Sequence, residues 1–178
     1  MKWKLISITM VVGFISFSTT PAFGTIDLQA DLNRIVAGVN RFDANSAATN
    51  SATTVAEIRI IFSNNASILS EISDANSAFK RNLNSAKRQI PSRDTKASPA
   101  FSTLMNLTKG YEEWVKYQRL NQVTGQKCLT TSKNSFNSLS SCLLTNFSKT
   151  MENERIGRMK LQAAWDAWKK WQVKFGYA

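Results

Sequence analysis

The sequence has 178 residues, of which 23 are Lys or Arg and 12 are Asp or Glu, so its net charge is +11. It contains no His and only two Cys, which excludes a Ser-His-Asp or Cys-His catalytic site and removes the commonest ligand of transition metals. The length suits one domain with its own core.

The first 24 residues have the layout of a cleavable secretory signal peptide. Met1–Lys4 is basic, an apolar run of about 13 residues follows, and small residues stand at −3 and −1 before a cleavage site between Gly24 and Thr25. Retention of this segment as an uncleaved anchor is the alternative. The apolar run is shorter than the about 20 residues of a transmembrane helix, and no similar run follows. We therefore expect a secreted, periplasmic or envelope-associated protein, with no membrane span in residues 25–178.

The charge of the mature chain is uneven. Residues 25–74 carry a net charge of −3, whereas residues 75–178 carry 18 basic side chains against six acidic ones. An exported cation of this kind is expected to bind anionic surfaces or polymers, such as lipid head groups, wall polymers or polysaccharides. A protein partner or self-association is a further option, and nucleic acid is not expected.

Apolar spacing predicts two helices in the first half of the chain. One stripe runs from Leu28 to Phe42 in steps of four and three residues. The polar stretch Asp43–Thr54 does not continue its phase, so we favour a turn there over a helix that rotates its face. The second stripe runs from Val55 to Ile90 through five heptads with largely apolar a and d positions. An apolar g column widens this stripe and favours a bundle over a two-stranded coil.

Two polar residues, Asn65 and Asn76, occupy core positions of these heptads. A buried Asn that meets another Asn sets register and oligomeric state, which raises the alternative of a structural coiled-coil oligomer. The other interpretation is that both residues lie at the edge of a wide stripe and contact water.

A third helix is predicted from Pro99 to Val123, after a polar connection at 91–99. Ser98 is suited to the N-cap and Pro99 to the first helical position, and Gly125 is a plausible end. Gly110 costs this helix about 1 kcal/mol relative to Ala, which indicates close packing or a kink.

Cys128 and Cys142 would lie about 21 Å apart along a straight helix, whereas a disulfide needs Cα atoms within about 7 Å. If they pair, as export favours, the chain must fold back through the polar stretch 130–137. Free thiols and intermolecular bridges are the alternatives. A last helical region is expected over 139–175, and Gly157 marks the place where we consider a break.

The C-terminal helix is the first candidate binding surface. Its aromatic rings share one face and lysines flank that face, as in helices that lie at a membrane surface. The alternative is that the rings belong to the bundle core and the lysines only solvate the outside. The aromatic residues are Trp165, Trp168, Trp171 and Phe175, and the lysines are Lys169, Lys170 and Lys174.

A basic strip on the second helix is the second candidate surface, suited to a polyanion. Four of its members fall on the adjacent e and f heptad positions. An ordinary solvated helix face is the alternative. The candidate residues are Lys80, Arg81, Lys87, Arg88, Arg93 and Lys96.

Catalysis is not expected. The neighbouring carboxylate pairs, Glu112 with Glu113 and Glu152 with Glu154, point in different directions on a helix and do not converge on one bond. The sequence contains no phosphate-binding loop and no dinucleotide-binding motif. We therefore predict no enzyme, no catalytic residue, no cofactor and no metal.

Together these observations predict an all-α fold, an elongated antiparallel helical bundle or long helical hairpin of three to five helices with coiled-coil-like packing. We expect a single domain over 25–178, stapled by one disulfide that closes a loop at 128–142. The predicted function is non-catalytic binding at the cell envelope or outside the cell, through the basic and aromatic surfaces. The alternative is a membrane-active secreted protein, toxin-like or lytic, whose C-terminal helix leaves the bundle and inserts.

Overall fold

The computed structural model describes residues 28–89 and 97–175, and within these ranges the chain is all-helical. A short 3-10 helix, Ala48–Asn50, follows the first of five α-helices. The predicted signal peptide lies outside the described residues, as do Arg93 and Lys96 of the basic strip. The helices are α1 (Leu28–Ala47), α2 (Val55–Gln89), α3 (Ala97–Thr131), α4 (Phe136–Thr145) and α5 (Phe147–Phe175).

The turn predicted within Asp43–Thr54 is confirmed, and a reciprocal cap fixes where it ends. The Thr54 hydroxyl accepts a hydrogen bond from the Glu57 N–H at 3.2 Å. The Glu57 carboxylate in turn accepts from the N–H groups of Thr53 at 2.7 Å and Thr54 at 3.1 Å. These two backbone hydrogen bonds lower the pKa of Glu57. This capping box satisfies N–H groups that have no partner inside the helix, so α2 begins at Val55.

Neighbouring long helices run antiparallel. Between α1 and α2, Asn45 hydrogen-bonds Asn65 at 2.8 Å, and Gly38 lies against Ile72 nearer the other end. Residue numbers therefore rise along α1 as they fall along α2. α2 is antiparallel to α3, since Phe62 meets Gly125 and Asn76 meets Thr108. α3 is antiparallel to α5, since Gly110 meets Ala164 and Gly157 meets Tyr117. These four long helices share one core.

The most extensive helix contact among the described residues joins α3 to α5. A Cβ atom added at Gly110 would lie 2.9 Å from Ala164 Cβ and 3.4 Å from Leu161 Cα. A Cβ atom at Gly157 would lie 3.2 Å from Tyr117 Cβ. These distances confirm the close packing predicted at Gly110. The two backbones can approach because neither glycine has a side chain.

Two predicted helix boundaries are wrong, and the predicted start of the third helix is two residues late. Gly125 does not end α3, which continues to Thr131. A glycine stands at this position because the ring of Phe62 occupies the space where a Cβ atom would lie. The last helical region breaks at Asn146 instead of Gly157. The third helix begins two residues before Pro99, which its first turn accommodates because N–H groups there have no helical partner.

The chain folds back between α3 and α4 as the disulfide requires. Lys133 and Asn134 adopt positive φ angles of 48° and 66°, a conformation that reverses the chain and that Asn tolerates better than most residues. Cys128 and Cys142 then meet with Sγ atoms 2.01 Å apart and Cα atoms 5.5 Å apart. The predicted intramolecular pairing is confirmed.

The disulfide belongs to a second, smaller core. It joins the start of α2 to the end of α3 and to α4, and it is separate from the main core that the four long helices share. Its buried members are Val55, Ile58, Cys128, Leu129 and Leu139. No helix in the described ranges combines the length and the apolar character that crossing a membrane requires.

The α3–α5 contact predicts that Gly110→Ala destabilises the protein although Ala is the better helix former. The added methyl overpacks the interface at a cost of about 1–3 kcal/mol, which exceeds the gain of about 1 kcal/mol in helix propensity. Urea unfolding measures the change. Adding Ala164→Gly removes the opposing methyl group, so the double variant should be more stable than the sum of the two single losses predicts, although this second substitution itself costs about 1 kcal/mol in helix propensity. Additive effects of the two substitutions would contradict the contact.

Candidate functional site

The aromatic face of the C-terminal helix lies in the main core. Trp165, Trp168 and Trp171 are only 7%, 1% and 9% exposed. The rings of Trp168 and Trp171 stack with centroids 5.0 Å apart, and Trp165 meets Tyr111 edge-on at 6.4 Å. These three rings therefore belong to the core of the folded bundle. The side chain of Phe175 is not among those that the structure describes.

The flanking lysines lie outside this core. Lys169, Lys170 and Lys174 are exposed on α5. The two halves of the candidate surface are therefore separated, with the rings inside the bundle and the charges outside it. Only the charges are available to a partner of the folded protein.

The basic strip on α2 is exposed except for its first member. Arg81, Lys87 and Arg88 face solvent. Lys80 bonds the Glu112 carboxylate on α3 at 2.7 Å and is partly covered. Three cations of the described strip are thus exposed, and the fourth is held in an ion pair between helices.

The antiparallel order brings both groups of cations to one end of the bundle. α2 and α5 each run antiparallel to α3, so both end beside the beginning of α3. We call this region the basic end, formed by residues 28–35, 78–89, 97–107 and 165–175. It contains eight basic side chains and two acidic ones. The basic residues are Arg34, Lys80, Arg81, Lys87, Arg88, Lys169, Lys170 and Lys174.

Both acidic residues of the basic end accept hydrogen bonds from neighbouring amide side chains. Asp31 is 8% exposed and accepts a hydrogen bond from Asn82 at 2.6 Å. Asp166 accepts from Gln162 on its own helix at 2.8 Å. Glu112, which pairs with Lys80 from just outside these ranges, lowers the net charge of this end to five positive charges, and seven of the eight cations are exposed. Lys87, Arg88 and Lys174 also lie in the last turns of their helices, where cations complement the helix dipole.

Each carboxylate considered for catalysis is paired with a cation. Glu112 bonds Lys80 and Glu113 bonds Lys116 at 3.5 Å. Glu152 bonds Arg155 at 2.7 Å, and this hydrogen bond lowers the pKa of Glu152. The described residues bring no two of these carboxylates together around a common position, and they contain no group of three or more acidic, His or Cys side chains suited to a metal.

A groove of about 980 Å³ opens at the opposite end of the bundle, which we call the disulfide end. All five helices contribute to it. Phe136 and Leu144 at its edge stay 38% and 65% exposed although they are large and apolar. The apolar wall includes Ile58, Phe62, Leu139, Leu143, Phe147 and Met151.

A charged cluster lines the groove on the side nearest the middle of the bundle. The Arg158 guanidinium donates to the Asp43 carboxylate at 2.7 Å and also to the Glu154 carboxylate, which accepts a further hydrogen bond from Gln118. Burial alone would lower the pKa of Arg158, but the hydrogen bonds and charges of Asp43 and Glu154 outweigh it, so the pKa is raised. The cluster places two carboxylates around one permanent cation.

The sequence gives little signal for this groove. Its residues come from five separate segments, and Asp43 and Arg158 are 115 positions apart. The apolar edge of α4, with Phe136 and Leu144 on a short helix, is the one local indication. Sequence reasoning missed it because α4 had been joined to the last helix.

The two heptad asparagines have partners within the same chain. Asn65 donates to the Ser46 hydroxyl at 3.0 Å and accepts from Asn45 at 2.8 Å. Asn76 donates to the Thr108 carbonyl oxygen at 3.0 Å. Both are buried, so neither lies at a wet edge of the stripe, and their amides join α1 to α2 and α2 to α3.

Comparison with protein-family models, with curated proteins and with solved structures finds no match for this chain.

Removal of the disulfide is predicted to lower the stability of the protein. In the chain-entropy model a loop of this length contributes about 3 kcal/mol, so Cys128→Ser with Cys142→Ser should lower the free energy of unfolding by about that amount. Urea unfolding of the oxidised wild type and the double variant measures it. The reduced wild type is the control and should match the variant. An unchanged unfolding midpoint would contradict the role given to this bond.

Proposed function

We propose that this protein is an exported, non-catalytic binding protein that contacts anionic polymers or anionic lipid surfaces through its basic end. It acts at the cell envelope or outside the cell. The observation that carries the proposal is the collection of eight cations from three helices at one end of the bundle, against three carboxylates that are bonded to Asn82, Gln162 and Lys80.

The exposed cations determine the chemistry of the partner. Arg81, Lys87 and Arg88 extend along one side of α2, and Lys169 and Lys170 project from α5. A cationic surface of this kind attracts a polyanion over several ångströms and releases its condensed counterions on contact. Binding should therefore be strong at low ionic strength and weaken steeply as salt rises.

The folded form of the bundle supports contact at its surface over insertion into a membrane. The membrane-active alternative needs α5 to leave the bundle and expose Trp165, Trp168 and Trp171. Truncating a buried aromatic ring typically costs about 3–5 kcal/mol, so exposing three rings would cost about 10 kcal/mol, which is comparable with the total stability of a domain. Leakage of a dye from anionic vesicles distinguishes the two functions, because surface binding leaves the vesicles intact.

The oligomer alternative depended on the heptad asparagines. Their hydrogen bonds to Ser46, Asn45 and Thr108 of the same chain count against a role in pairing two copies. We propose instead that α2 makes coiled-coil-like contacts with α1 and α3 within one bundle. Sedimentation equilibrium at tens of micromolar separates this monomer from a coiled-coil oligomer.

The test of the proposed function removes three exposed cations from the basic end. The variant is Arg81→Gln/Lys87→Gln/Arg88→Gln, and the probes are heparin and vesicles that contain phosphatidylglycerol. Affinity at low salt should fall about tenfold or more, and the slope of log affinity against log salt should become shallower by roughly 2 to 3, because each of the three lost contacts removes about 0.7–0.9 from the slope.

A matched variant controls for the loss of net charge. Arg119→Gln/Lys127→Gln/Lys149→Gln removes three exposed cations from the other half of the molecule and should change affinity by less than about threefold, since it leaves the contact surface intact. Equal losses in the two triple variants would mean that binding follows net charge alone. Absence of wild-type binding to both probes at low salt would also refute the proposal.

A further inference from the structure

We propose that the groove at the disulfide end is a binding site for cationic amphiphiles, that is, molecules with an apolar body and a protonated amine head group. Its volume of about 980 Å³ falls within the about 300–1,000 Å³ range of small-molecule sites. The groove lies at the opposite end of the bundle from the basic end and uses different residues. This inference therefore does not depend on the proposed function.

The walls of the groove are suited to the apolar body. Phe62 from α2 packs directly on Gly125 of α3, where no side chain displaces its ring. Leu143 from α4 and Met151 from α5 line the groove on the other side. Apolar surfaces from four helices thus face one space, and exposed Leu144 stands at its edge.

The charged cluster determines the sign of the head group. Asp43 and Glu154 share the single cation Arg158, so the charged residues that line the groove carry one net negative charge. This sign is opposite to that of the whole chain. A positively charged head group would complete the balance between two carboxylates and one guanidinium.

The hydrogen-bonding groups favour a donor in the same place. The guanidinium N–H groups of Arg158 are directed to Asp43 and Glu154, and Gln118 donates to Glu154. An ammonium group, which only donates, matches the two carboxylates. A carboxylate or sulfate head group would meet donors that are already engaged.

The experiment uses three ligands of equal chain length below their aggregation concentrations. Decylamine, decanol and decanoate are titrated at pH 7 into the chain from Thr25 to Ala178, with its cysteines oxidised, and binding is followed by calorimetry. This chain contains every described residue. We expect decylamine to bind about tenfold more tightly than decanoate, and decanol to bind with intermediate affinity.

Two pairs of variants assign the binding to the groove. Glu154→Gln should weaken decylamine about tenfold and leave decanol unchanged, whereas Glu152→Gln, on the exposed side of the same helix, should change neither. Ser140→Phe fills the groove and should abolish binding of all three ligands. Ser141→Phe, on the exposed side of α4, should not. Circular dichroism of each variant verifies that the helices are retained.

Several results would overturn the proposal. Decanoate binding as tightly as decylamine would show that the charged cluster does not select a cation. Unchanged decylamine binding in Ser140→Phe would place the ligand elsewhere. Absence of binding by all three ligands up to their aggregation concentrations would refute the site itself. None of these outcomes bears on binding of polyanions by the basic end.

Discussion

The close approach of α3 to α5 is the constraint on which the rest of the structure depends. Gly110 faces Ala164, and Gly157 lies against Tyr117, so two long helices pack with almost no side chain between their backbones at these points. Close contact between backbones fixes the rotation of both helices. The large rings then fill the space on either side, with Trp114 and Trp168 essentially inaccessible to solvent.

This contact also explains why the two ends of the molecule differ. Because α5 runs antiparallel to α3, its C-terminal lysines lie at the same end as the last turns of α2, and the basic end results from topology together with two separate runs of cations. At the other end, α4 precedes α5 and interrupts the contact between α3 and α5. The disulfide holds α4 beside α3. The interruption leaves the space between α1, α4 and α5 that becomes the groove. The basic end is charged and exposed, whereas the groove is concave, with apolar walls and one charged cluster.

Much of the helical fold was predictable because the apolar periodicity is nearly uninterrupted. The stripe from Val55 onward and the turn before it follow from local spacing. The pairing of Cys128 with Cys142 follows instead from the predicted export and from there being only two cysteines. The boundary at Gly125 was not predictable, because glycine is common at helix ends and only the ring of Phe62 reveals its packing role. The groove was not predictable either, since Asp43 and Arg158 meet only through the tertiary arrangement.

The same limit applies to the tryptophan face, because spacing alone cannot distinguish a core stripe from an exposed one. The most direct test of the account is the Trp emission maximum of the chain from Thr25 to Ala178, alone and with anionic vesicles at low and high salt. Trp3 is absent from it, so Trp114, Trp165, Trp168 and Trp171 report. The account predicts blue emission that does not shift when the protein binds vesicles at low salt. Red emission that shifts to the blue on binding would contradict it, because the aromatic face would then be exposed in the free protein and covered by the membrane.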